Sequence, residues 1–269
     1  MKTRPLPTFL TVARAAAKRE FLSHRVNRFL HAHVLLVLIA GLLPLLTPGD
    51  AFTRGASWWL LHAVLYAISL SALLLGLSSA QAEVEEFNWL LGQPAGVAPW
   101  LAGKTAALTI LVGGATALLA LPTIVVGGFS RELIIVALGG SGAAAVCASA
   151  GLALGFWIRD SVRGLIGAVG VWFVLLFGVD LFLLAVAGVP SIQQQPNVWV
   201  AALMSNPLDA FRVTVLFSIE HAAFTGIDAG QLTGWWIAHS LSWLSIILGL
   251  WWSGSAALAW LGARRRTDG

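Results

Sequence analysis

Apolar positions along this chain come in long unbroken runs rather than in alternation. Runs at about 30–46, 58–79, 105–127, 133–158, 165–189 and 235–261 reach or approach the roughly 20 residues that an α-helix needs to cross a bilayer. A membrane barrel would show alternating segments of about 10 residues instead. The pattern predicts an all-α polytopic membrane protein. Six transmembrane helices fill residues 30–261, an interfacial amphipathic helix lies within 1–29, and 262–269 form a basic tail.

The polar interruptions carry the remaining expectations. From Thr8, the apolar positions Leu10, Ala13, Ala17 and Phe21 recur at helical spacing, with Arg14, Lys18, Arg25 and Arg28 on another face. Such a helix suits the headgroup layer, its cations toward anionic lipid. The fourth span is rich in glycine (Gly139, Gly140, Gly142, Gly151, Gly155), which lets helix backbones approach closely in lipid. Residues 190–234 leave the fifth span and hold helices expected to lie on the outer leaflet or to form a docking platform. Asn206-Pro207-Leu208-Asp209 reads as a helix start, with Asn at the N-cap, Pro at the first position and an acid in the first turn. Leu208, Phe211, Val215 and Ile219 then form one apolar stripe, and Asn206, Pro207, Asp209, Phe211 and Arg212 are the expected periplasmic docking residues.

Charge sets the orientation. Of the sixteen Lys and Arg, only Arg54, Arg131 and Arg212 fall in segments placed outside when the N-terminus is inside. This asymmetry is expected to place both termini in the cytoplasm, and a bacterial inner membrane is the expected location of this multi-pass chain. The basic residues cluster at span ends, which is a topology pattern and not a nucleic-acid footprint. Charged residues make up only 10% of the chain, far below the ~25% of soluble domains.

Under this topology the inner loop 81–104 is the longest polar stretch facing the cell interior. Its acids Glu83, Glu85 and Glu86 precede an apolar-faced segment with Phe87, Trp89 and Leu90, then a Gly/Pro break and Lys104. That is what a bundle presents to a soluble partner. Gly103-Lys104-Thr105 imitates the end of a phosphate-binding loop, but Ala98 stands where that loop needs glycine and the segment opens a span. Lys104 is instead expected at the inner interface with its stem along lipid, so any ATP and magnesium would be held by another chain. Enzymatic motifs such as GxSxG and HExxH do not occur, and no cofactor or metal is expected on this chain.

Asp180 lies in the fifth span, roughly 22 Å along from Leu165 at 1.5 Å per residue. An intramembrane carboxylate usually faces the bundle interior or water, which suggests either a conformational role or a hydrogen bond between helices. Trp58-Trp59 with His62 and Trp235-Trp236 with His239 echo each other. Two such imidazoles could share a metal, or serve as polar interfacial groups. The single Cys147 excludes an intrachain disulfide, and with two methionines the chain lacks the soft-ligand ladder of a copper pore.

Several short stretches together resemble the ABC-2 type transporter permeases, and more narrowly the permease of the nitrous oxide reductase maturation transporter (NosY type). They are Leu90-Leu-Gly-Gln-Pro with Leu101-Ala-Gly-Lys, Val171-Trp-Phe with Val179-Asp-Leu-Phe-Leu-Leu, Ser205-Asn-Pro-Leu-Asp-Ala-Phe-Arg, and Arg264–Arg266. The loop entry departs from that family's glycine-rich acidic stretch, reading Ala82-Glu-Val-Glu-Glu-Phe-Asn-Trp. The resemblance implies a homodimer with two cytosolic ABC ATPase subunits, a periplasmic accessory protein and a copper chaperone. An ABC-2 exporter of a lipid, glycan or drug, or a scaffold without an energised cycle, are the competing expectations.

Overall fold

The structure, a computed structural model, describes residues 8–46, 52–83, 96–186, 188–189, 196–219 and 231–265, without the side chains of 52–54, 196–198 and 231–233. It is helical throughout, with no strand among the described residues. A helix α1 (Phe9–Ser23) precedes α2 (Arg28–Leu46), α3 (Gly55–Gln81), α4 (Val97–Gly127), α5 (Arg131–Trp157) and α6 (Ser161–Val186). A bent pair follows, α7 (Pro196–Ser205) and α8 (Pro207–Ile219), and then α9 (Gln231–Arg265). Six of these, α2 to α6 and α9, are long and apolar enough to cross a membrane.

Helix α5 is the axis. Its apolar window is 72% buried, against 17% in α6 and 28% in α2, so α5 is wrapped by protein while α2 and α6 present most of their surface outward. Glycines make the axis possible. A Cβ added at Gly76 of α3 would strike the carbonyl of Ala148, and one at Gly151 of α5 would strike the carbonyl of Leu73. The two helices therefore cross with backbone against backbone, as small residues permit where lipid offers no hydrophobic drive. Gly155 continues the seam against Leu77, and Gly142 receives Leu248 of α9. Gly151→Ala is expected to force the seam apart at a cost of about 1–3 kcal/mol, the usual penalty for overpacking. A lowered thermal transition in detergent would register it, and an unchanged one would contradict the close approach.

Span three begins earlier than the apolar run suggests. Helix α4 starts at Val97, after Gly96 at φ 69°, so residues 97–104 belong to the span and not to the loop. Pro99 was the misleading signal. In a helix's first turn the N–H groups have no intrahelical partner, so proline there starts a helix instead of breaking it.

Helix α1 also sits differently from its apolar stripe. Thr8 caps it by accepting from the N–H of Thr11. The buried residues are Ala16, Glu20 and, just beyond, His24, while Leu10 and Leu22 are exposed. Its docking stripe is rotated toward small and polar residues because it packs on α4, where Gly103 leaves no room for a Cβ beside the carbonyl of Ala13.

Candidate functional site

Two polar clusters stand at opposite ends of the bundle. The first joins α1, the end of α3 and the head of α4. Glu20 is 3% exposed and Lys104 2% exposed, and Lys104 Nζ donates to Glu20 Oε2 at 2.7 Å and to Glu83 Oε1 at 3.1 Å. Ser79 donates to the other oxygen of Glu20, and His24 Nε2 lies 2.9 Å from it. Asn27 Nδ2 is 3.0 Å from His24 Nδ1. The amide can only donate, so this contact makes Nδ1 the acceptor and leaves Nε2–H to face Glu20. Arg19 stands 3.9 Å from Glu83 at the edge of the group.

Lys104 is thus no snorkelling interfacial lysine. Because α4 starts at Val97, Lys104 lies in its second turn, turned inward beneath α1, where only paired charges are tolerated. Sequence reasoning missed Glu20 altogether. The available signal was its position: Ala13, Ala16, Glu20 and His24 follow one another at helical spacing, an acid on a small-residue stripe.

Burial pushes the Glu20 carboxyl up, but the His24 hydrogen bond and the Lys104 charge outweigh it and bring it down to about 2 from 4.5. A carboxyl lowered on folding contributes stability that is full above its unfolded value and is lost as pH falls through the folded one. Glu83 has the opposite sign: burial, outweighing Lys104, raises it, so its ionisation opposes the network as pH rises. Helix α1 is expected to stay docked down to about pH 4.5 and to detach between there and about 2. Pepsin cleavage of the N-terminal helix across that window would check it, and Glu20→Gln should abolish the step.

The second cluster ties the bent pair to α6. Helices α7 and α8 meet at 115°, and the break is satisfied from outside, as backbone groups in lipid require. The indole of Trp243 donates to the carbonyl of Met204 at 2.8 Å, and that of Trp251 to Ser205 at 3.0 Å. Asn206 Oδ1 accepts from the N–H of Leu208 at 3.0 Å, the expected N-cap, and its amide donates to the carbonyl of Leu175 at 2.7 Å. Leu175 lies in a π-helical stretch of α6, Val174–Gly178, where the widened turn exposes a carbonyl. One turn on, Arg212 grips Asp180 through two bonds of 2.8 Å and also reaches Asp209 at 2.9 Å.

Asp180 is therefore an ion-paired residue bridging α6 and α8. The expected outer docking residues are placed inside: Asn206, Pro207, Asp209 and Phe211 are buried, with Phe211 over Gly139 and Gly140 of α5. Only Arg212 and Asp180 remain partly open, at 28% and 38% of their side chains. The stripe Leu208, Phe211, Val215 is the reason, since it packs into the bundle and not on its surface.

Of the loop residues, Glu83 is buried against Lys104, while Glu85, Glu86, Phe87, Trp89 and Leu90 lie outside the described residues. The two Trp-Trp-x-x-His echoes are self-contained. His62 Nδ1 is 2.7 Å from the carbonyl of Trp58 and His239 Nδ1 is 2.9 Å from that of Trp235, and each ring stacks on the indole four residues before it. No group of three or more possible metal ligands occurs among the described residues. His33, fully buried, lies 2.7 Å from Ser71 and 3.4 Å from Thr116, joining α2, α3 and α4.

Fold and clusters define a helical, multi-pass membrane protein with a polar knot at each end. No protein-family model matches the chain, and no curated protein matches it significantly.

Proposed function

We propose that this chain is the permease subunit of an ABC transporter, coupling ATP hydrolysis by a separate cytosolic ATPase to work at the opposite face of the membrane. The observation that carries this reading is the pairing of Glu83 and Glu20 on one lysine. Glu83 immediately precedes the segment 84–95, so a push on that segment reaches α1 and the head of α4 together. The close α3–α5 seam carries the movement across the bilayer, and the Asp180–Arg212 pair receives it at α6 and α8. Bistable, rigidly packed elements of this kind transmit discrete movements.

A second copy of the chain fits the same reading. Trp58, His62 and Tyr66 stack along α3 toward Phe177 of α6, beside the partly open Asp180. Polar groups on the flank of a bundle face protein or water in preference to lipid. The resemblance adds a role in copper-site maturation of nitrous oxide reductase, with a periplasmic accessory protein and a copper chaperone outside.

The test is purification of the chain in mild detergent from its native host, with identification of co-eluting chains and assay of ATP hydrolysis, repeated with Glu85 and Glu86 changed to Ala. An ATPase that co-elutes and is weakened by the change supports the permease. Absence of any ATPase, with silent loop changes, leaves a scaffold. One observation favours an exporter: an apolar cavity of about 510 Å³ between α2 and α3, lined by Leu35, Leu36, Ile39, Trp59 and Tyr66. ATPase activity stimulated by a lipid or drug would select that reading.

A further inference from the structure

The cluster that ties α6 to α8 holds two carboxylates on one cation. Asp180 has both oxygens bonded, accepting from Nη1 and Nη2 of Arg212 at 2.8 Å each. Asp209 has less. Nη2 alone lies beside it, 2.9 Å from Oδ1, and its Oδ2 is buried with no hydrogen-bond partner among the described residues. With both acids ionised the cluster carries one surplus negative charge, and the less satisfied acid is only 1% exposed. A buried charge without a matching partner is costly, and a buried oxygen without a donor adds to that cost.

Among the described residues, no other element supplies the missing positive charge. The charges acting on Asp209 are those of Arg212 and Asp180. Helix α3 brings Tyr66, a phenol, toward Arg212, while His62 is held on the carbonyl of Trp58. Helix α5 sets glycines against Phe211, and its Arg131 and Glu132 line a separate cavity with Thr214 and Ser218, farther along α8. Helix α7 has no titratable side chain, and His239 of α9 is held on the carbonyl of Trp235.

We propose that Asp209 is a proton-binding site. Its Oδ2 takes one proton from water at the open edge of the cluster, where the side chains of Arg212 and Asp180 are 28% and 38% exposed. Gaining that O–H bond makes the cluster neutral, with no change of charge at Arg212. Carboxylates that share one site settle in this way, one protonated and one ionised. Asp180 remains the ion, because both of its oxygens already accept hydrogen bonds. With Asp209 neutral, the guanidinium fork is held by Asp180 alone and fastens α6 to α8. With Asp209 ionised, the same arginine is shared with an acid of its own helix. The proton therefore sets how firmly α6 is tied to α8, whether or not the chain is a permease.

Infrared spectra of the full chain in detergent test it, on Glu83→Gln protein because burial raises that carboxyl and would add its own signal. Between about pH 6 and 9 exposed aspartates and glutamates are ionised, so a protonated-carboxyl stretch in that range reports a buried acid. The parent should show this band, fading as pH rises, and Asp209→Asn should lose it. Asp180→Asn leaves Asp209 alone with Arg212, a balanced pair, and should move the fading to lower pH. The thermal transition gives a second reading. A proton bound only by the folded chain costs about tenfold in the folded-to-unfolded ratio per pH unit of rise. The parent transition should therefore fall through the range more steeply than that of Asp209→Asn. Should Asp209→Asn fail to fold, the shift in Asp180→Asn decides alone. A band that survives in Asp209→Asn, or no band in the parent, overturns the site. A band that fades at the same pH in Asp180→Asn overturns the sharing of Arg212.

Discussion

Lys104→Met is expected to release α1 from the bundle and to cost about 3–5 kcal/mol, the scale for breaking a buried pair from one side. Methionine fills nearly the same volume, so the loss would be electrostatic. Glu20 and Glu83, both buried, would face each other without their shared cation. The measurement is the thermal transition in detergent together with protease access to the N-terminal helix. Because replacing every partner of a buried pair is often nearly neutral, Lys104→Met combined with Glu20→Gln and Glu83→Gln should recover much of the loss. If the single change leaves both readouts at wild type, the network does not hold α1.

Arg212→Met should be the second severe change, for a related reason. Asp209 is 1% exposed and would lose its cation, again at about 3–5 kcal/mol. Asp180, more open, can turn to solvent or to neighbouring polar groups, so Asp180→Asn should cost less. Arg212→Lys keeps the charge but not the fork that grips both oxygens of Asp180, and should fall between. Pairing Arg212→Met with Asp209→Asn should restore stability. A thermal series over these four proteins checks the order, and a silent Arg212→Met would remove the anchoring role from the cluster.

The sequence made the spans legible because lipid imposes a length and an apolarity that no other environment demands. It made Asn206-Pro207-Leu208-Asp209 legible as a helix start because capping is local chemistry. It did not reveal where that helix goes. The stripe Leu208, Phe211, Val215 is apolar whether it faces lipid or protein, and only the glycines at 139 and 140, some seventy residues earlier, decide that it packs inward. Lys104 was misread for the same reason. A lysine at a span end looks alike whether it faces lipid headgroups or a buried acid, and its partner Glu20 is 84 residues away. Pairings between distant positions leave no periodicity to read.

The glycine seam has a mechanical consequence. With Gly76 against Ala148 and Gly151 against Leu73, α3 and α5 have no side-chain cushion between them over which to slide, so they would travel as one stiff plate. Helix α6 lacks such a backbone contact, its glycines 164 and 167 meeting only side chains. It has an irregular turn at Val174–Gly178 and is fastened to its neighbours by exchangeable polar bonds, from Trp172 to Ser69, Asn206 to Leu175 and Arg212 to Asp180. Helix α3 has a π-helical stretch of its own at Ala63–Ile68, before the seam begins, so the stiff part is the segment held at Gly76 and Gly151, and a probe of motion placed on α6 is expected to register displacements that one beside that seam would not.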